Sequence, residues 1–165
     1  MRIQIEKTRP DQSHRAGRAL LSQLYREATG LKLPALEVTE RGKPYIPGED
    51  WHFSITHTPR HTLCVLARTP VGIDAEEMDR QIDLRLADKI LSPGEKAQYD
   101  RAEDKRRALL TFWVLKEAQA KATGEGLRVY PDHTDFSLAD PRVQEMDGCL
   151  VAVIETEDKE KQYAL

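Results

Sequence analysis

The sequence predicts an α+β fold in two lobes that meet near residue 70, and three observations carry that reading. Helix-period and strand-period segments are segregated rather than alternating, in the order helix, strands, strand, helices, strands. The strand-like runs are short and are bounded by turn residues such as Thr58-Pro59 and Thr69-Pro70. No repeat or low-complexity linker interrupts the 165 residues, enough for one compact domain or two small lobes with a core.

The elements can be justified in order. In "SHRAGRALLSQLYREAT", residues 13–29, Ala16, Leu20, Leu24 and Ala28 recur at helical spacing and Gly30 supplies the stop. "GKPYIPG", 42–48, reads as a turn punctuated by glycine and two prolines. "WHFSITH", 51–57, and "HTLCVLAR", 61–68, are two strands joined by "TPR", and "VGIDAEE", 71–77, is a third. From Ile82 to Thr123 the pattern is helical, broken at Ser92-Pro93-Gly94. There Pro93 suits the first turn of a new helix and Ser92 its cap. "TDFSLA", 134–139, and "CLVAVIET", 149–156, give late strands, and "EDKEK", 157–161, a solvated tail.

Composition bounds the function. The net charge of −3 gives no overall basic field to recruit nucleic acid or an anionic membrane. The opening "MRIQIEKTRPDQ" lacks the apolar core of a signal peptide, and no stretch approaches a membrane span. Cys64 and Cys149 lie in apolar strand-like runs without metal-ligand spacing. They read as reduced core thiols, which suits a cytoplasmic protein.

The chemistry concentrates in two segments. On "FWVLKEAQAKATGEGL", 112–127, helical geometry places Leu110, Trp113, Val114, Glu117 and Lys121 within one stripe about 100° wide. An acid and a base thus sit where burial is costly unless something completes their coordination. In "VGIDAEE" the strand period puts Val71, Ile73 and Ala75 on one face and Asp74 and Glu76 on the other. The Cα atoms of that acidic pair lie about 6.5–7 Å apart by strand rise. With Glu117 they make three hard oxygen donors of the kind that hold Mg²⁺ beside a substrate phosphate. Lys121 then stands where such a phosphate needs a second cation. The plainer alternatives are a solvated strand edge and an i,i+4 ion pair between Glu117 and Lys121. Glu77 is expected to face solvent, unless a register slip exchanges it with Glu76. His57 ends "FSITHT" with Ser54 and Thr56, a set that can donate to phosphate oxygens or can be a simple turn. His14, His52, His61 and His133 show no pairing pattern and are expected to be structural or on the surface. No Ser-His-Asp order, P-loop or dinucleotide-binding glycine motif is present.

At these residues the chain resembles the 4′-phosphopantetheinyl transferases. "GKPYIP" resembles their G-K-P-x-x-P element and "FSITHT" their F-N-x-S-H-S strand. "VGIDAE" is similar to [VI]-G-I-D-x-E, and "FWVLKEAQAKATGEGL" to W-x-x-K-E-A-x-x-K-x-x-G-x-G-L. The motifs come in the family's order and cover residues 14 to 138; "LSPGE", 91–95, and "DFSL", 135–138, resemble further recurring segments. The two-lobed Sfp-like type fits better than the short trimeric one, as a short variant whose opening is expected to lack the usual first strand and helix. Ser54 stands where the family has Asn, and Thr56 and Thr58 replace serines while keeping hydroxyls.

The resemblance implies two similar lobes, 1–70 and 71–165, in one transferase domain. Each would be a small, mainly antiparallel sheet with packed helices, in a pseudo-two-fold arrangement. It implies transfer of phosphopantetheine from coenzyme A to a serine of an acyl or peptidyl carrier protein, with release of 3′,5′-ADP. The cofactor would be Mg²⁺, with Mn²⁺ a possible substitute. Carried over by position, Asp74, Glu76 and Glu117 are the metal ligands, and Glu117, Lys121 and His57 the catalytic groups. The coenzyme contacts are Lys43, Ser54, Thr56, His57, Asp74 and Lys121, with Arg9, Arg15 and Arg18 as further candidates. Glu117, or a water that it orients, would take the serine proton. The expected state is a cytoplasmic monomer, without nucleic acid or membrane. Arg80, Arg85, Lys89 and Ile90 are candidates for docking an acidic carrier protein. Two rival readings are a non-catalytic coenzyme A or carrier-binding module with this fold, and a nucleic-acid binder using "DKRRALL".

Overall fold

A computed structural model describes residues 1–124 and 135–157. The fold is α+β, built from two three-stranded antiparallel sheets, each covered by one long helix. The first sheet orders β1 (Arg2–Lys7), β5 (His61–Ala67) and β4 (His52–His57) as β1-β5-β4. The helix α1 (Ser13–Thr29) packs on it, burying Leu20, Leu21, Leu24 and Tyr25 against Phe53, Cys64 and Leu66. The second sheet orders β6 (Val71–Glu77), β8 (Cys149–Glu155) and β7 (Val143–Met146) as β6-β8-β7, with α4 (Lys105–Thr123) against it. A two-stranded ribbon, β2 (Glu37–Val38) with β3 (Pro44–Tyr45), stands apart from both. Between α3 (Pro93–Arg101) and the preceding strand lies the short α2 (Ala87–Ile90).

The two sheets share a middle core. Leu63, Val65 and Ala67 of β5 meet Val71, Ile73 and Ala75 of β6 and Cys149 and Val151 of β8. The strand period therefore holds for β6: the Val71 face is core, and Gly72, Asp74 and Glu76 turn toward α4. A Cβ on Gly72 would fall 1.9 Å from the Ala118 carbonyl oxygen and 2.5 Å from the Ala122 nitrogen. The strand thus lies against the backbone of α4, with no room for a side chain. α1 meets the other sheet through Gly17, whose Cβ would fall 2.9 Å from Cγ2 of Ile55.

Helix ends follow the sequence signals. Gly30 and Gly124 close α1 and α4 in left-handed conformation, at φ 74° and 70°. Ser92 opens α3 with a complete capping box to Glu95, and Pro93 begins it. Four expectations are corrected. The chain opens with a strand, not a helix, because Ile3 and Ile5 pack on the middle core while Arg2–Lys7 pairs with β5. The long helical stretch breaks a second time at Ala102–Asp104, where Asp104 accepts from Arg107 N and caps α4. Its first part is a 3₁₀ turn, Leu84–Leu86, followed by the one-turn α2. Finally, residues 135–139 form no strand. The Phe136 N–H donates to Glu95 Oε1 and the Leu138 N–H to Gln98 Oε1, so α3 side chains take the place of a strand partner. The last sheet uses Val143–Met146 instead.

Candidate active site

The site lies where β4 and β6 run side by side without backbone pairing. Two side chains cross the gap. Ile73 N–H donates to Ser54 Oγ at 3.1 Å, and Thr56 Oγ1 donates to Asp74 Oδ1 at 3.1 Å. From α4, Lys121 Nζ reaches the same Asp74 oxygen at 2.8 Å and the Ile73 carbonyl at 3.0 Å. Asp74 is 7% exposed, and its other oxygen, Oδ2, is buried with no hydrogen-bond partner among the described residues. Burial pushes this carboxyl above its ordinary range, and the bonds from Lys121 and Thr56 only partly offset that.

Glu76 stands two residues along the same face. Its Oε1 accepts from Trp113 Nε1 at 3.1 Å and pairs with the Arg80 guanidinium. Burial raises it too, against the opposing charge of Arg80. Glu117 of α4 completes the group, and its carboxyl is pushed up to about 7, first by burial and then by the charge of Asp74. The three acids thus feel one another, but their ligand atoms do not all lie within 4.8 Å of each other, as those of His61, Glu77 and Cys149 do. Asp74 is held by Lys121 and Glu76 by Arg80.

The donor chemistry fits a hard divalent ion. All three groups are carboxylates, and Asp74 Oδ2 is a buried acceptor that no donor among the described residues satisfies. Beside them a cleft of about 450 Å³ is lined by Arg41, Lys43, Phe53, Ser54, Glu117 and Lys121 among others. Lys43 Nζ donates to the Lys121 carbonyl at 2.7 Å, and burial lowers its pKa. Of the residues anticipated from sequence, Lys43, Ser54, Thr56, Asp74, Glu76, Glu117 and Lys121 are brought together, from β4, β6, α4 and the segment before β3. Arg41 was not anticipated; it lies two residues before Lys43 on the cleft wall.

His57 ends β4, exposed, with Nδ1 3.3 Å from Thr62 Oγ1. Burial, His14 and Lys121 each lower its pKa. His14, expected to be structural or on the surface, is exposed on the first turn of α1 with its ring 5.5 Å from that of His57. Arg9, Arg15 and Arg18 are exposed and do not line the cleft; Arg9 faces Asp11 at 3.7 Å. His133, Gly126 and Leu127 lie outside the described residues.

One sequence expectation is overturned beside the site. Glu77 does not face solvent: it is 4% exposed, on the core face of β6. Its carboxylate accepts from Thr58 Oγ1 at 2.5 Å, Arg60 Nη2 at 2.8 Å and His61 Nδ1 at 3.0 Å. Burial alone would raise this group, but the bonds from Arg60, Thr58 and His61 together bring it down to about 2. His61, one of the histidines expected to be structural or on the surface, is buried and has two partners on Nδ1: Glu77, and Cys149 Sγ at 3.4 Å. Both contacts fall on the same ring nitrogen, so the group is not a relay that could activate the thiol. Burial drives the Cys149 and Cys64 thiols up to about 12, as expected of core cysteines. Among the described residues, no helix is long and apolar enough to cross a membrane.

Comparison with known proteins agrees with this arrangement. The family model for the 4′-phosphopantetheinyl transferase superfamily matches residues 70–162. A 4′-phosphopantetheinyl transferase of Bacillus subtilis is 32% identical over 134 residues, 78% of this chain and 59% of that protein. The 4′-phosphopantetheinyl transferase Sfp of Bacillus subtilis (strain 168) is 37% identical over 105 residues, 60% of this chain and 45% of that protein. A third, the 4′-phosphopantetheinyl transferase gsp of Aneurinibacillus migulanus, is 31% identical over 96 residues, 54% of this chain and 38% of that protein. The matches thus span about half the length of the curated relatives. On the family match over more than half of its length, the chain belongs to the 4′-phosphopantetheinyl transferase superfamily.

Proposed function

We propose that the protein transfers 4′-phosphopantetheine from coenzyme A to a serine of an acyl or peptidyl carrier protein, releasing 3′,5′-ADP, with Mg²⁺ as cofactor and Mn²⁺ as a substitute. The observation that carries this reading is the meeting of Asp74, Lys121 and Thr56 across the two sheets, beside Glu117 and a cationic cleft. The chain divides at residue 70 into an N-terminal lobe, 1–70, and a C-terminal lobe, 71–165, with coenzyme A in the cleft between them.

Phosphoryl transfer needs placement and charge neutralisation more than covalent help from the protein. Asp74, Glu76 and Glu117 would hold the ion, which supplies neutralisation of the diphosphate oxygens. Lys121 sits one helical turn from Glu117, where its ammonium offsets charge developing on the leaving phosphate. Lys43 and Arg41 offer cations to the outer phosphate, and Ser54, Thr56 and His57 border the diphosphate path. Glu117, or a water that it orients, accepts the proton of the attacking serine. Of the docking candidates, Arg80 is engaged with Glu76, whereas Arg85 is exposed and forms a forked pair with Asp83. Arg85, Lys89 and Ile90 then remain for the carrier protein. The protein acts as a cytoplasmic monomer, with neither nucleic acid nor membrane as partner.

Mass spectrometry of a panel of apo-carrier proteins, incubated with coenzyme A and Mg²⁺, tests the reading. A gain of one phosphopantetheine on any carrier supports it. No gain on the whole panel, with coenzyme A still bound, favours a binding module.

A further inference from the structure

We propose that Arg80 is a specificity-determining residue: by pairing with Glu76 beside the Lys121–Asp74 pair, it makes the site refuse a free divalent ion and accept the ion together with a diphosphate. This rests on the transferase reading above. Two of the three carboxylates already carry a protein cation. Lys121 is 2.8 Å from Asp74, and Arg80 is paired with Glu76. The Arg80 arrangement is built rather than incidental. Its backbone N–H donates to the Glu77 carbonyl at 2.9 Å, and Arg106 bonds the carbonyls of Met78 and Arg80. Its guanidinium carbon lies 5.8 Å from the centre of the Trp113 ring, whose Nε1 bonds the same Glu76 oxygen. Only 15% of the Glu76 side chain is exposed, against 38% of Arg80, so solvent reaches the pair mainly from the arginine side.

A free Mg²⁺ or Mn²⁺ gains little here. It must shed water to reach three carboxylates of which two already carry a protein cation, and it leaves the ammonium and the guanidinium without anions. A diphosphate arriving with the ion changes the balance. The carboxylates exchange protein cations for the metal, and Lys121 and Arg80 exchange carboxylates for phosphate oxygens. Each protein cation then keeps an anionic partner while the carboxylates gain the ion, so ion and coenzyme A favour each other's binding, and the coupling is reciprocal.

The test measures Mn²⁺ binding by the loss of the free-ion electron paramagnetic resonance signal, with Mn²⁺ alone and with saturating coenzyme A. Wild-type protein, Arg80→Gln and Trp113→Phe are compared, each first shown to unfold cooperatively. Wild type should bind Mn²⁺ alone at least about tenfold more weakly than with coenzyme A. Arg80→Gln should bind Mn²⁺ alone about tenfold more tightly than wild type, and coenzyme A should then add correspondingly less. Trp113→Phe loosens Glu76 without removing a charge and should keep the wild-type coupling. The proposal is overturned if Arg80→Gln leaves the affinity for Mn²⁺ alone unchanged or weaker, or if Trp113→Phe mimics it. A phosphopantetheine-transfer assay on the same wild-type protein separates the two claims. Transfer with an unaltered Arg80→Gln affinity defeats only this inference, whereas no transfer to any apo-carrier defeats the reading on which it rests.

Discussion

Glu76 and Glu77 are neighbours on β6, yet they sit in opposite electrostatic circumstances. Glu77 turns into the core and meets three donors, from Thr58, Arg60 and His61, that bring its carboxyl down to about 2. Glu76 turns toward α4, joins Asp74 and Glu117, and all three are pushed up. One cluster has a complete set of partners for its carboxylate oxygens, with His61 Nε2 its single buried atom lacking a partner among the described residues; the other is a concentration of acid that the protein satisfies only in part. Burial of a carboxylate therefore does not mark a site by itself. What marks it is a shortage of donors, seen most plainly at Asp74 Oδ2. The complete cluster also includes a His, a Glu and a Cys with ligand atoms within 4.8 Å, but its carboxylate oxygens already have protein partners.

Substitution should separate the two clusters. The largest effect is expected on catalysis: Asp74→Ala and Glu117→Ala should each lower carrier modification by about 10³-fold or more, because each removes a hard oxygen donor. The thermal midpoint should stay near or above wild type; near-normal rates at limiting Mg²⁺ would remove the three-carboxylate site.

Next in size, Glu77→Ala should cost about 3 kcal/mol of stability, by leaving His61 and Thr58 with buried donors unpaired. The sign with pH follows from the depressed pKa. The Glu77 contribution is fully present above the ordinary glutamate value of 4.5 and is lost as pH falls toward about 2. Urea titrations of both proteins across that range check it; a difference constant down to pH 2 would contradict the assignment.

Glu117→Gln should do the reverse. Its carboxyl titrates near 7 in the folded protein against 4.5 ordinarily, so the folded state holds the proton longer and stability falls as pH rises between those values. The amide should therefore add about 1 kcal/mol above pH 7, after allowance for solvent screening, and nothing below pH 4.5. Thermal midpoints at pH 4.5 and pH 8 measure the difference. The smallest effect belongs to Arg60→Ala: its side chain is 57% exposed, so the midpoint should drop by only a small fraction of the Glu77→Ala shift. An equal drop would mean that Arg60, not the buried donors, holds Glu77.

Much of this was legible in the chain. The alternation of β6 assigned Asp74 and Glu76 to one face, and the helical period set Glu117 and Lys121 beside them. The same alternation puts Glu77 with Val71, Ile73 and Ala75, so its burial was signalled; the habit of sending acids to solvent obscured it. β1 was signalled too, by Ile3 and Ile5 two residues apart. Other features were not. That His14 meets His57, or that Glu95 and Gln98 take the backbone donors of Phe136 and Leu138, depends on contacts between elements distant in sequence. Local pattern carries no record of them. The Arg80–Glu76 pair lies at i,i+4, but across the end of a strand, where helical spacing rules do not apply.

Gly72 bears on how such a protein can be altered. The hydrogen atom at that position is the gauge between a strand carrying Asp74 and a helix carrying Lys121, and the next larger side chain would wedge the two backbones apart. A clearance set by a missing carbon cannot be restored by repacking neighbours, because those neighbours are main chain. Recombining this half of the molecule with parts of its relatives should therefore keep β6 and α4 as one inherited cassette, exchanged together or left alone.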